Sequence, residues 1–134
     1  MYKSQEDAKR SCASKGGRLF EPRNQQENKA VADAGQEIYR GYWWIGVENK
    51  IRDGKFKWAI SKQNIDFSNW WPGDDKISEQ PDNWKGNEDC VTLKTNSKFD
   101  YWYGKWYDWA CSLTSRFICE FTKRRQNSKI ICIF

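Results

Sequence analysis

The apolar residues change period once, near Gly41, and that change limits the folds open to the chain. Before it they recur at helical spacing; after it they come in short runs suited to strands. Ser4, with Asp7 three residues on, predicts a helix N-cap; Ala8 and Cys12 share one helical face, and Gly16-Gly17 marks the stop. Arg18-Leu19-Phe20 reads as a short strand ended by Pro22. Asn24 with Glu27 opens a second helix, whose expected buried stripe is Ala30, Val31, Ala34 and Ile38. Beyond Gly41, Tyr42 to Val47 is a near-continuous apolar run that reads as a buried strand. Asp53-Gly54 is a hairpin signal, with Phe56, Trp58 and Ile60 alternating behind it. Cys90 to Leu93, Lys105 to Tyr107 and Phe117 to Phe121 supply further strands. From Ser61 to Glu88 the chain is loop chemistry with Trp70, Trp71 and Trp84 embedded in it. That is too long for an idle connection and points to a functional loop. Two helices followed by strands predict an α+β domain.

Composition bounds the function. At 134 residues the chain is one domain with a modest core. Its nine Trp, seven Phe and six Tyr bury large areas per residue and also suit binding surfaces. Against 18 Asp+Glu stand 23 Lys+Arg, a formal charge of +5. The basic residues are scattered, apart from Lys123-Arg124-Arg125, so nucleic-acid binding is not expected. The chain has no histidine, which removes His-based acid/base chemistry, Ser-His-Asp and Cys-His nucleophiles, and imidazole metal sites. No apolar run nears the ~20 residues of a membrane span, and Ile130 to Phe134 falls far short. No membrane insertion is expected. Tyr2-Lys3-Ser4 leads directly into a helix pattern, so a secreted protein would be represented here by a mature or truncated form. Cysteines 12, 90, 111, 119 and 132 are too spread out for a CxxC motif. Four of them pair in any of three ways with one left over, and buried cytosolic thiols are the alternative.

Several landmarks then occur in one order: CASKGGRL at 12–19, WIGV at 44–47, FSNW at 67–70, QPDNW at 80–84 and EDCV at 88–91. Last come Trp106, Asp108 and Cys111, then Cys119-Glu120-Phe121. From Ser4 to Phe121 this resembles the C-type lectin-like domain. The resemblance implies two helices beside two small antiparallel sheets, a long loop carrying the site, and disulfides Cys12–Cys119 and Cys90–Cys111. It implies a recognition domain over 1–122, its first strand largely missing, with 123–134 as a basic tail. Cys132, outside that domain, would be free or join a second chain as a dimer.

The family's site carries over residue by residue. Gln80 and Asp82, around Pro81, would both ligate Ca²⁺ and hydrogen-bond a sugar, with Glu88 as the next ligand and Asp108 as the last. Calcium takes six to eight oxygens, so two adjacent sugar hydroxyls can complete its shell. The Gln-Pro-Asp order implies glycans ending in galactose or N-acetylgalactosamine rather than mannose, because acids accept hydrogen bonds and amides also donate them. Trp84 would lie against the apolar face of galactose. A second calcium site resembles Asn49, Asp53, Asn83, Glu88 and Asp89; a solvated hairpin reads equally well. Two features depart from the pattern. Tyr107 stands where Asn is expected, and WPGDDKISE at 71–79 lengthens the loop. The leading expectation is a secreted, calcium-dependent lectin of the innate-immune kind, not an enzyme. Its rivals are a lectin-like domain that binds a protein or glycan without calcium, favoured by Tyr107, and a carboxylate-based glycoside hydrolase.

Overall fold

The run from Tyr42 to Val47 is apolar without alternation because its strand, β2 (Tyr42–Glu48), is covered on both faces. Trp43, Ile45 and Val47 enter one core with Phe20, Val31, Trp58, Val91, Leu93 and Trp106. Trp44 takes the opposite face, with Ala8, Cys12, Leu19 and Phe117. The computed structural model describes residues 2–96, 103–123 and 128–134.

Helix α1 (Gln5–Ser14) and strand β1 (Arg18–Leu19) precede α2 (Gln25–Gln36). Strand β3 (Lys57–Trp58) follows β2; after the long loop come β4 (Cys90–Lys94), β5 (Trp106–Trp109), β6 (Arg116–Lys123) and β7 (Ser128–Ile133). The strands form one seven-stranded sheet, ordered β1-β6-β2-β4-β5, with β3 on β2 and β7 on β6. Every pairing is antiparallel except that of β2 with β6, where Trp43 lies beside Arg116 and Trp44 beside Phe117. That parallel contact joins two antiparallel groups, β1-β6-β7 and β2-β3-β4-β5. Both expected caps form: the Asp7 N–H donates to Ser4 Oγ at 3.3 Å, and the Glu27 N–H to Asn24 Oδ1 at 2.8 Å. Cys12–Cys119 ties α1 to β6, and Cys90–Cys111 ties the start of β4 to the chain beyond β5. Each restricts the unfolded chain by an amount worth about 2–4 kcal/mol.

The buried stripe of α2 differs from the sequence reading. It is Asn28, Val31, Ala32 and Gly35, while Ala30 and Ala34 are exposed and Ile38 is 58% exposed. Asn28 is buried because its Oδ1 accepts from Trp106 Nε1 at 2.7 Å and its Nδ2 donates to Gly104 O at 3.0 Å. At Gly35 the indole of Trp43 leaves no slack: a Cβ there would lie 3.3 Å from its Nε1. A polar amide and a glycine therefore hold places that periodicity assigns to apolar side chains.

The segment expected as a tail outside the domain is, from Ser128, the outer strand of the sheet. Arg124 and Arg125 lie outside the described residues. Ile131 and Ile133 pack on the main core, and Phe134 stacks on Phe117 with centroids 5.3 Å apart. Lys129 Nζ donates to Glu21 O and Glu27 Oε1, each at 2.9 Å, and lies 3.6 Å from Glu120 Oε1. Glu120 is buried, so the ammonium offsets charge that would otherwise be costly to bury; the buried Glu21 carboxylate meets Arg23 Nη2 at 2.7 Å instead. Cys132, the free cysteine of the described residues, is the register partner of Cys119 and lies within the sheet rather than beyond it.

Asn28→Ala is expected to destabilise the protein by about 1–3 kcal/mol, because it strands the buried Trp106 N–H. Ile38→Ser should stay within about 0.5 kcal/mol. Thermal unfolding of both variants checks this, and the reverse ranking would restore the stripe read from periodicity. Peptide mapping without reduction is expected to find Cys12–Cys119, Cys90–Cys111 and a free Cys132 thiol; a Cys90–Cys119 bridge would contradict the fold.

Candidate functional site

Three carboxylates converge where the long loop meets the end of β5. Asp108 comes from β5, Glu88 from the lead into β4, and Asp82 from the loop. One oxygen of each lies within 4.8 Å of the others. The loop turns there through a cis Gln80–Pro81 peptide, then through left-handed Asn83 (φ 46°) and Lys85 (φ 58°) around the short turn Trp84–Gly86. Asp108 fastens it. Its Oδ1 accepts the Asp82 N–H at 3.0 Å and its Oδ2 the Asn83 N–H at 2.7 Å. Gln80, 7% exposed, accepts the Asp108 N–H on Oε1 at 3.3 Å. Glu88 Oε1 accepts the Trp84 N–H at 3.1 Å, and Asn83 Oδ1 the Glu88 N–H at 3.1 Å.

Charges this close cannot all be ionised without a counter-charge. At 4.8 Å two carboxylates repel by about 1–3.5 kcal/mol, depending on how wet the site is. Glu88 responds most. Burial, a hydrogen bond with Asp82 and the charges of Asp108 and Asp82 push it up to about 8, against the Trp84 N–H. Burial also raises Asp108, despite its two backbone donors. For Asp82 burial acts upward, but hydrogen bonds from Glu88, Ser78 and Gln80 outweigh it and leave the group lowered. The donors offered are all oxygens: three carboxylates and the Gln80 carbonyl. Such a set fits a hard cation of the calcium type and not a thiophilic one.

The trio borders a shallow depression of about 360 Å³ that Gln80, Trp84, Tyr42, Ile77, Tyr107 and Trp109 help to line. Trp84 is 61% exposed, with Lys85 Nζ 4.4 Å from its ring centroid. Tyr107 is buried. Its ring stacks on Trp71 at 6.4 Å and meets Tyr42 edge-on at 5.6 Å, so it packs where the pattern expects a ligating amide.

The residues suggested for a second metal site are held differently. Asp53 pairs with Lys57 Nζ at 2.8 Å and accepts the Lys55 N–H; Asp89 pairs with Arg52 Nε at 2.8 Å. The Asn49 N–H donates to Asp89 O, and Asn83 serves the turn at Glu88. A protein cation stands against each of these two acids. Among the described residues Asp82, Glu88 and Asp108 are the carboxylates that cluster.

Sequence reasoning missed Ser78, whose hydroxyl donates to Asp82 Oδ2 at 2.9 Å and whose carbonyl accepts from Gln80 Nε2 at 3.1 Å. The unusual length of 71–79 was its one signal. Tyr42 was hidden in an apolar strand run, and Trp109 lay beyond the strand read as ending at Tyr107. No helix among the described residues is long and apolar enough to cross a membrane.

Residues 2–121 match the Lectin C-type domain profile. The chain is 36% identical over 118 residues to C-type lectin domain family 3 member A of Homo sapiens, covering 87% of this chain and 53% of that protein. Collectin-10 of Gallus gallus is 31% identical over 126 residues, with 92% and 40% covered. The chain thus spans about half the length, or less, of these curated relatives. The human scavenger receptor C-type lectin carbohydrate-recognition domain superposes with a TM-score of 0.71 at 30% identity, over 88% of this chain and 82% of that one. The C-type lectin CEL-I of Cucumaria echinata, at 22% identity and a TM-score of 0.73 over 89% and 83%, shares the fold.

Because Glu88 holds its proton to about pH 8 when folded and to about 4.5 ordinarily, the metal-free fold binds the proton more tightly than the unfolded chain does. The resulting stability is present below about pH 4.5 and is lost as pH rises through about 8. In chelator, Glu88→Gln is expected to flatten that part of the stability curve. Thermal melts of both forms across the interval check it; an unchanged slope would remove Glu88 as the raised group.

Proposed function

The chain belongs to the C-type lectin domain family, and from that premise we propose that it is a secreted, calcium-dependent lectin for glycans ending in galactose or N-acetylgalactosamine. The observation that carries the reading is the cluster itself: Asp82, Glu88 and Asp108 bring carboxylate oxygens within 4.8 Å of one another, and Gln80 is hydrogen-bonded to Asp82 and to the Asp108 N–H. Gln80, Asp82, Glu88 and Asp108 would hold the ion, and a bound calcium supplies a place where sugar hydroxyl oxygens replace water. Gln80 is the amide and Asp82 the acid offered to those hydroxyls, an order that favours galactose-type geometry once the Gln80 Nε2–Asp82 Oδ2 bond gives way to the sugar. Trp84, exposed at the edge of the depression, offers its face to the apolar side of the ring. Two disulfides suit an oxidising compartment.

Tyr107 lowers the ligand count. Calcium affinity is therefore expected in the ~10⁻⁴–10⁻³ M range of extracellular modules or weaker. The same residue favours a second reading, a protein- or glycan-binding domain that works without calcium. A hydrolase would release product from a glycan, whereas a lectin returns its ligand intact.

A glycan-binding screen with and without chelator separates these readings. Galactose is expected to compete better than mannose, and chelation to abolish binding; binding that survives chelation favours the calcium-free reading. Trp84→Ala should weaken galactose binding by about 1–2 kcal/mol while leaving the melting temperature unchanged. A large loss of stability would make the ring a packing element instead.

A further inference from the structure

The loop from Trp71 to Glu79 closes on itself before it reaches the site. At its base the Gln80 N–H donates to Trp71 O at 2.8 Å. Within it, Asp74 Oδ1 accepts the Lys76 and Ile77 N–H groups at 2.8 and 2.7 Å, and the Asp74 N–H donates to Ile77 O at 2.9 Å. Gly73 has φ +90°, and a Cβ there would lie 2.7 Å from the Glu79 nitrogen, so the closure needs glycine. A loop closed in this way delivers Ser78 to a fixed place beside Gln80 and Asp82.

Ser78 grips both of those residues. A glutamine amide that turns over exchanges donor for acceptor at the same point in space. The Gln80 amide is fixed from two sides: Ser78 O accepts from its Nε2 at 3.1 Å, and the Asp108 N–H donates to its Oε1 at 3.3 Å. Asp82 Oδ2 accepts from Ser78 Oγ at 2.9 Å and, at the longer 3.3 Å, from Gln80 Nε2. One residue of the extended loop thus sets which face of the amide and which oxygen of the carboxylate look outward.

We propose that Ser78 is a positioning residue that fixes the donor and acceptor order at this site, and with it the choice between galactose-type and mannose-type sugars. The inference rests on the sugar reading above. Without the hydroxyl, Asp82 Oδ2 loses its shorter bond and keeps the longer one from Gln80, which loosens the carboxylate on the side facing the loop. The backbone carbonyl still holds Gln80, so the two members of the pair lose their register.

The test compares wild type, Ser78→Ala and Ser78→Thr by competition with galactose and with mannose in saturating calcium. Calcium titration followed by tryptophan fluorescence accompanies it. Ser78→Ala is expected to lose about tenfold in galactose affinity, the scale of a hydrogen bond to a charged group, with a smaller change for mannose. The preference ratio should fall, calcium should bind more weakly, and Ser78→Thr should restore all three. An unchanged ratio in Ser78→Ala overturns the proposal. If wild type takes up no galactose with calcium, the sugar reading fails instead. Ser78 is then judged by trypsin cleavage after Lys76 in chelator: faster cutting in Ser78→Ala than in Ser78→Thr upholds the grip, and equal rates overturn it.

Discussion

Both carboxylate oxygens of Asp108 are bonded to backbone N–H groups of the loop, and the loop in turn presents Gln80, Asp82 and Trp84. Asp108 is on β5, which pairs with β4, which pairs with β2, the strand buried on both faces. The loop's geometry is thus tied to the centre of the sheet through this side chain, alongside the Trp71 N–H on Trp106 O and Gln80 Oε1 on the Asp108 N–H. A bond between a charged acceptor and two N–H donors is among the stronger hydrogen-bonded arrangements available. It also leaves Asp108 in two roles, as an anchor for the turn and as one corner of the acidic trio. Removing it would cost the site its shape as well as its charge.

That coupling explains what was legible in the sequence. Landmarks whose meaning is local could be read directly: Ser4 and Asn24 as caps, Tyr42 to Val47 as a buried strand, Gln80-Pro81-Asp82 as a turn lined with oxygens. The disulfide pairing was implied only by the family resemblance; the cysteines by themselves left three pairings open. Features decided by tertiary partners were not legible. Asn28 looks like a surface residue until Trp106 is placed against it, and Ile38 like a core residue until α2 is rotated to bury Gly35. Lys129 reads as part of a basic tail, yet it pairs with the buried Glu120 and donates to the Glu21 carbonyl. Ser78 carries no motif; its role exists because the extra loop folds back on Asp82.

The acids of the upper loops illustrate two ways of balancing charge. Asp53 and Asp89 face Lys57 and Arg52, so their neutralisation is built into the chain. Among the described residues, Asp82, Glu88 and Asp108 have no lysine or arginine as a hydrogen-bond partner, and Glu88 keeps a proton up to about pH 8. Similar carboxylates, a few residues apart, are in one case closed by side chains and in the other left open to something from outside. That contrast, more than the count of acidic residues, separates a structural pair from a binding cluster.

Strand β7 has a practical consequence for anyone who shortens this chain. A cut after Lys123 would remove the partner of Ile118 to Lys123 and leave a row of unpaired N–H and C=O groups along β6. The same cut would uncover Phe117 and withdraw Lys129, whose inward-pointing charge is a known means of discouraging edge-to-edge association. Such a fragment would keep every landmark of the recognition loop and still tend to aggregate, its solubility lost at the end of the sheet farthest in sequence from its first helix.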